Sequence, residues 1–275
     1  PSNPGGWSAP EVIGCFIVAG AALAWFIVAE LRNPAPLLQI RLLAERNFGI
    51  SMAVLTLFAI GMLGGTYLLP LYMQRGLGYT ALAAGSMFLP VGVIQGVLSA
   101  VSGYLTRYVR PLLLSAAGIL IMALSFWLAS RFTLHTTHGH ILFILYLRGF
   151  GMGLTFAPLN LFSLKNLTQQ DMAAAAGISN SIKQLAGSIG IALLTVIFSA
   201  RTSYHAAHET VSAAQTYVEG VTDALRVVAV ITLAALLPLL GVFRKKRPGK
   251  SGVKGAATPA PGEAVSGKTD KTTIY

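Results

Sequence analysis

Long apolar stretches, separated by short polar segments, follow one another along most of the chain. Seven of them are long enough to cross the hydrocarbon core of a bilayer, which is about 30 Å thick and needs ~20 helical residues. They run approximately over residues 12–31, 48–73, 82–105, 112–130, 141–164, 173–200 and 222–243. Because the stretches are continuously apolar rather than alternating, they favour helices over barrel strands. The pattern predicts an all-α membrane protein with seven transmembrane helices.

The polar segments divide the sequence into three parts. Residues 1–47 hold a short stub, the first predicted helix and a connection, and residues 48–243 hold the other six helices. Residues 244–275 are rich in Gly, Pro, Thr and Lys, which predicts a disordered basic tail. We expect residues 201–221 to form a polar outer loop, with a short surface helix as the alternative. The opening Pro1–Gly6 resembles a loop cut from a longer chain, so we expect a preceding part.

Composition sharpens the membrane interpretation. The chain is 54% apolar and only 11% charged, whereas soluble domains carry about 25% charged residues. This composition therefore excludes a mainly disordered chain and a protein whose primary function is to bind nucleic acid. The net charge is +11, and the basic cluster Arg244–Arg247 directly follows the last apolar stretch. Because basic residues favour the cytoplasmic side, we expect a cell-membrane protein with a cytoplasmic C-terminus.

Two cations lie deep inside predicted helices. Arg148 is about eight residues into the fifth stretch and Lys183 about ten residues into the sixth, so neither reaches an interface easily. An intramembrane cation costs at least ~2.5–3.5 kcal/mol on insertion scales, so it normally faces a cavity or a partner. The alternative is a structural hydrogen bond to neighbouring carbonyls.

A polar stripe runs along the sixth predicted helix. Asn180, Lys183, Gln184, Gly187 and Ser188 follow the i, i+3, i+4, i+7, i+8 spacing of one helical face. Lipid cannot satisfy such groups, so this face should point into the protein. Packing alone accounts for the two small residues but not for a lysine beside a glutamine. We therefore predict a cavity here.

Other polar residues are weaker candidates for the same cavity. They are Thr155 and Asn160 on the fifth helix, Gln95 on the third and Tyr67 on the second. All nine acids fall in loops, the tail or helix ends, so no carboxylate is predicted at mid-membrane. The histidines are predicted to be solvated loop residues, including His205 and His208. We expect no metal site, no catalytic residue and no enzyme activity.

A faint internal repeat links the two halves of the six-helix region. Gly61–Tyr67 followed by Pro70 is similar to Gly151–Phe156 followed by Pro158. Three helices separate the copies, so they would have opposite orientation. Inverted three-helix repeats are a feature of transporters.

Four stretches of sequence carry a family resemblance. They are Glu30–Phe48 with its Arg and Leu positions, Leu69–Pro90 with its Pro-Leu-Tyr start, Arg148–Leu159 with its Gly pattern, and Asn180–Gly190 with its Lys-Gln-Leu-Ala-Gly core. In these residues the chain resembles the C-terminal half of a major facilitator superfamily transporter of the 14-span drug:proton antiporter type. The family's cytoplasmic loop motif survives only in part, at Gly103, Arg107 and Arg110, without its aspartate.

The resemblance implies a multidrug efflux function connected with antibiotic resistance. The first helix would be an extra central helix, and the other six would form a C-terminal bundle of two inverted repeats. Small amphipathic substrates would meet Arg148, Asn180, Lys183 and Gln184 in a central cavity. The proton gradient, not a cofactor, would supply energy, and the coupling acid would lie in a missing N-terminal half. Some relatives deliver drugs to a periplasmic adaptor, which no residue here decides.

Two alternatives remain open on sequence grounds. Seven spans also fit a receptor-type protein, although no lysine in the seventh helix could hold retinal. A truncated membrane protein that does not transport is the second alternative.

Overall fold

The computed structural model describes residues 10–32, 40–165, 167–169, 171–208 and 212–245, and within these ranges the protein is helical. The α-helices are α1 (Pro10–Arg32), α2 (Arg46–Leu71), α3 (Ala81–Ser86), α4 (Leu89–Leu105), α5 (Pro111–Ala129), α6 (His138–Leu164), α7 (Met172–His208), α8 (Ala213–Ala234) and α9 (Leu236–Lys245). A 3₁₀ turn over Ile40–Ala44 precedes α2, and a π-helical turn over Tyr72–Gly76 follows it. The predicted tail from residue 246 onward lies outside the described residues.

Six stretches of the described helices are long and apolar enough to cross a membrane. They are Arg46–Gly76, Ala81–Leu105, Pro111–Ala129, His138–Leu164, Met172–Ala207 and Ala214–Leu239. These correspond to the second through seventh predicted helices, so the protein is a multi-pass membrane protein. The first predicted helix is present as the 23-residue α1, where Ile13–Ala22 is the apolar run. A seventh crossing and the inverted-repeat relation stay predictions.

Prolines explain why two of the six spans are broken. Pro90 has no N–H to donate to the carbonyl of Ser86, and α3 ends at Ser86 before α4 begins. In the same way Pro238 cannot donate to Ala234, and α8 ends at Ala234 before α9 begins. Each break is only one or two residues long, and the span continues beyond it as a helix.

The prediction of a polar loop over residues 201–221 is wrong for residues 201–208 and 213–221, which belong to two long helices rather than to a loop or a short surface helix. Helix α7 continues through the polar segment to His208, and α8 already begins at Ala213. The Ser212 hydroxyl caps α8 by accepting from the Gln215 backbone N–H at 3.3 Å. Polar residues in this segment pair with one another across the two helices, so the helices extend where low hydropathy predicts a loop.

The spans pack around α2, which contacts α6, α7 and α8. Helix α5 packs against α6 and α8, whereas α4 packs against α6, and α7 packs against α2 and α8. The core between them is apolar and includes Phe58, Phe126, Ile144, Leu194 and Leu225. Since α6 lies between α4, α5 and α2, groups on α6 can reach backbone atoms of several spans.

Candidate functional site

Arg148 on α6 is fully enclosed by protein, with 2% of its surface exposed. Its guanidinium donates to the backbone carbonyls of Met62 at 3.1 Å and Gly65 at 3.4 Å, and also to the Thr66 hydroxyl. The guanidinium carbon lies 5.3 Å from the centre of the Phe126 ring on α5. A planar guanidinium suits this arrangement because several N–H groups can donate at once. Arg148 therefore joins α6 to α2 beneath an aromatic ring of α5.

Gly65 makes this enclosure possible. A Cβ atom at position 65 would lie 2.2 Å from Cε1 of Phe126, far closer than two such atoms can approach. Only a residue without a side chain lets the Phe126 ring reach the guanidinium. These contacts match the alternative in which Arg148 forms structural hydrogen bonds to neighbouring carbonyls. A role of Arg148 in substrate binding stays a prediction.

Lys183 on α7 has a different environment. It lines a cavity of about 220 Å³ together with Leu55, Phe156, Asn160, Ala176, Ser179 and Asn180, which we call the Lys183 cavity. Lys183 is half-buried, and within the described part of the chain no carboxylate forms an ion pair with it. The side chain is thus a cation facing an open space.

Helical spacing builds the Lys183 cavity from three spans. On α7, Ala176, Ser179, Asn180 and Lys183 lie on one face at intervals of three and four residues. On α6, Phe156 and Asn160 are four residues apart, and the Asn160 amide donates to the Phe156 carbonyl at 3.0 Å. That bond uses the Asn160 amide nitrogen and leaves its side-chain oxygen available as an acceptor.

The cavity therefore combines two kinds of surface. Leu55 and Phe156 present apolar atoms, while Lys183, Asn160 and Asn180 present a cation, donors and acceptors. Small-molecule sites are typically apolar clefts with a few convergent polar groups. This arrangement suits a molecule with an apolar body and a polar head.

The other predicted cavity residues lie elsewhere. Thr155 is buried and donates to the Gly151 carbonyl at 2.7 Å, inside the contact between α5 and α6. Gln95 is half-buried on α4, and its backbone carbonyl packs against Gly153 of α6. Gln184 and Tyr67 are exposed on α7 and α2. The structure thus brings together Asn160, Asn180 and Lys183 and leaves the rest outside that cavity.

The predicted conformational loop joins α4 to α5. Gly103 accepts a hydrogen bond from the Thr106 hydroxyl at 2.6 Å, which closes the end of α4. Arg107 is exposed, with its guanidinium 5.4 Å from the centre of the Tyr104 ring. Arg110 is exposed immediately before Pro111, the first residue of α5.

One cluster was missed because His205 and Glu219 were assigned to a loop and Asp223 to the end of the next predicted helix. His205 on α7 lies 3.1 Å from an Asp223 oxygen and 3.5 Å from a Glu219 oxygen, both on α8. The expectation of a solvated loop histidine at position 205 is wrong, since its side chain is only 15% exposed. Within the described residues no group of three or more His, Cys, Asp or Glu side chains is placed to hold a metal ion. The sequence signal was two pairs of residues, each with a four-residue spacing: the basic Arg201 and His205 on α7, and the acidic Glu219 and Asp223 on α8.

These features define a polytopic helical membrane protein with a polar cavity between its spans. Residues 2–191 match the model of the Major Facilitator Superfamily, and the chain belongs to this family of membrane transporters. Membership confirms the resemblance drawn from the four sequence stretches and argues against a seven-helix receptor.

Several relatives have names that describe export or resistance. The chain is 32% identical over 207 residues to the multidrug export protein EmrB of Escherichia coli strain K12, a match that covers 75% of the chain and 40% of EmrB. It is 30% identical over 195 residues to the fatty acid resistance protein FarB of Neisseria gonorrhoeae, covering 71% of the chain and 38% of FarB. The lincomycin resistance protein LmrB of Bacillus subtilis is 28% identical over 196 residues, covering 71% of the chain and 41% of LmrB. The chain thus spans about two fifths of the length of these relatives.

Proposed function

We propose that the chain is the C-terminal half of a proton-coupled efflux transporter for amphipathic small molecules. The observation that carries the proposal is the Lys183 cavity, where a cation and two amides face the same space as Leu55 and Phe156. The names of EmrB, FarB and LmrB support export of drugs or other toxic compounds. The Lys183 cavity would form this half's share of the substrate site.

The distribution of buried residues supports a missing partner half. In the apolar windows of the spans Ala81–Leu105 and Met172–Ala207, only 17% and 22% of residues are buried, against at least 50% in the other four. These two spans therefore present most of their surface outward. Because the relatives are about two and a half times longer than the matched segment, the remaining half would pack against α4 and α7. Transporters of this kind rock one bundle against the other around a midplane site.

Proton coupling belongs to the same proposal. The coupling acid would come from the other half, as the resemblance implies, and the proton gradient would supply the energy. The basic cluster at the end of α9 supports a cytoplasmic C-terminus. With that orientation, the Lys183 cavity lies toward the cytoplasmic ends of α6 and α7, where it would receive compounds from inside the cell.

Replacement of Lys183 in the full-length protein tests the proposal. The assay is energised efflux of radiolabelled palmitate and lincomycin from cells that lack other exporters. We expect Lys183→Ala to lower efflux about tenfold or more, since a charge-assisted hydrogen bond contributes about 1.5–3 kcal/mol. Lys165→Ala is the matched control, because Lys165 is exposed at the end of α6. Wild-type efflux in Lys183→Ala, or no efflux of any amphipathic compound by the wild-type protein, would contradict the proposal.

A further inference from the structure

His205 lies between two carboxylates of the neighbouring helix. Its Nε2 atom is 3.1 Å from Oδ2 of Asp223, and its Nδ1 atom is 3.5 Å from Oε2 of Glu219. A neutral imidazole carries one N–H, so one ring nitrogen would direct a lone pair at a carboxylate oxygen. Only the doubly protonated ring can donate on both sides. The geometry therefore favours a bound proton at this position.

The environment of Glu219 also favours a proton on His205. Its Oε2 atom is buried and accepts no hydrogen bond from the described residues. Its other oxygen accepts from the neutral Gln215 amide at 3.2 Å. A buried carboxylate oxygen without a partner is costly. Protonated His205 is the cation placed to compensate it.

The other charged groups around His205 do not replace protonated His205 as the cation beside Glu219. Arg201 on α7 and Arg226 on α8 both approach Asp223, at 3.9 and 2.9 Å, but their side chains are 56% and 57% exposed and therefore largely screened by water. The Tyr204 ring lies edge-on to His205, with centroids 5.7 Å apart. From the turn after α2, Arg75 reaches the start of α8 at Tyr217. Among the described residues neither of these arginines forms an ion pair with Glu219, and Glu209 lies outside the described residues.

The backbones of α7 and α8 approach closely at the same level. A Cβ atom at Gly220 would lie 2.2 Å from the Thr202 hydroxyl oxygen, so this position needs glycine. One turn further along α7, His205 makes polar contacts with α8. The close backbone contact at Gly220 and the polar contacts of His205 thus both join α7 to α8.

We propose that His205, Glu219 and Asp223 form a proton-binding site that links α7 to α8 when occupied and releases the pair when the proton leaves. Histidine is the side chain that changes charge between about pH 5 and 8, so the link is strong at acidic pH and weakens as pH rises. With the proposed cytoplasmic C-terminus, this end of α7 and α8 faces outside the cell. The site then senses external pH, and it does so independently of the Lys183 cavity.

Distance measurements between spin labels test the site in the full-length protein. Labels are attached to cysteines at Ala206 on α7 and Ala214 on α8, after replacement of the native cysteines, Cys15 among them. Neither position belongs to the three-residue site or to the two arginines that approach Asp223. We expect one narrow distance distribution near pH 5 that broadens near pH 8, across the range in which histidine titrates. An identical distribution at the two pH values would overturn the proposal.

Two variants and a control assign the response to the cluster. We expect His205→Gln to give the broad distribution at both pH values, because glutamine cannot carry the charge. His135→Gln is the control, since His135 is exposed, and it should behave as the wild-type protein. Glu219→Gln should reduce the response and provides the test if His205→Gln does not fold. A full pH response in a folded His205→Gln or Glu219→Gln protein would contradict the assignment.

Discussion

Arg148 and Lys183 are both cations inside membrane-spanning helices, and the structure gives them opposite environments. Arg148 directs its N–H groups at carbonyl and hydroxyl oxygens of α2 and lies against the Phe126 ring. Lys183 faces a cavity of about 220 Å³ and has no carboxylate partner in the described residues. The first cation is satisfied by the protein, whereas the second has capacity for another molecule. Depth in the membrane therefore does not by itself identify a substrate-binding charge.

Among variants that test this difference between the two cations, we expect Arg148→Ala to have the largest effect on stability. The change removes the guanidinium as a donor to the Met62 and Gly65 carbonyls and opens a cavity beside Phe126. We expect the free energy of unfolding to fall by about 2–5 kcal/mol, measured as thermal unfolding of the full-length protein in nanodiscs. Arg131→Ala is the control, because Arg131 is exposed after α5. An unchanged unfolding temperature together with lost efflux would make Arg148 a substrate residue instead.

Lys183→Ala is expected to give the reverse result, with efflux lowered about tenfold or more and little change in stability. The side chain is half-buried and its removal orphans no described acceptor, so the bundle should remain folded. Lys183→Arg keeps the charge and should retain part of the efflux. Thermal unfolding and efflux are measured on the same preparations. A large loss of stability in Lys183→Ala would remove the distinction between the two cations.

Gly65→Ala tests the enclosure of Arg148 without touching the cation. The new methyl group meets Phe126 and forces the ring away, so we expect a loss of about 1–3 kcal/mol in the free energy of unfolding. Gly139→Ala is a matched control on α6, because nothing lies within 4 Å of a Cβ atom there. If both variants unfold at the same temperature, the close contact at Gly65 is not what holds Phe126 over Arg148.

The smallest effect is expected from Thr66→Val, which removes one acceptor of Arg148. Thr66 also donates to the Met62 carbonyl at 2.6 Å, and Thr56 makes the same helical bond to Met52 at 2.8 Å without contacting an arginine. We expect Thr66→Val to cost about 1 kcal/mol more than Thr56→Val, measured as the difference in thermal unfolding. Equal effects would show that the threonine bond to Arg148 adds no stability.

The spans were predictable because a bilayer requires long apolar helices, and six of the predicted stretches coincide with observed ones. The extension of α7 to His208 was not, since Arg201 and His205 lower the local hydropathy as a loop would. Their partner Asp223 lies 18 residues beyond His205, too far for helical spacing to reveal. The sequence also indicated the face of Asn180 and Lys183, because both lie on one helix. It could not locate the acceptors of Arg148, two of which are backbone carbonyls of α2 and have no side-chain pattern.

Substrate binding to the full-length protein tests directly whether Lys183, rather than the group around Arg148, contacts the substrate. Equilibrium binding of whichever compound is exported, palmitate or lincomycin, is measured in nanodiscs for the wild type, Lys183→Ala and Thr66→Val. We expect affinity to fall about tenfold or more in Lys183→Ala and to stay at the wild-type value in Thr66→Val. Equal affinity of Lys183→Ala and the wild type, or a loss in Thr66→Val that matches that of Lys183→Ala, would contradict it.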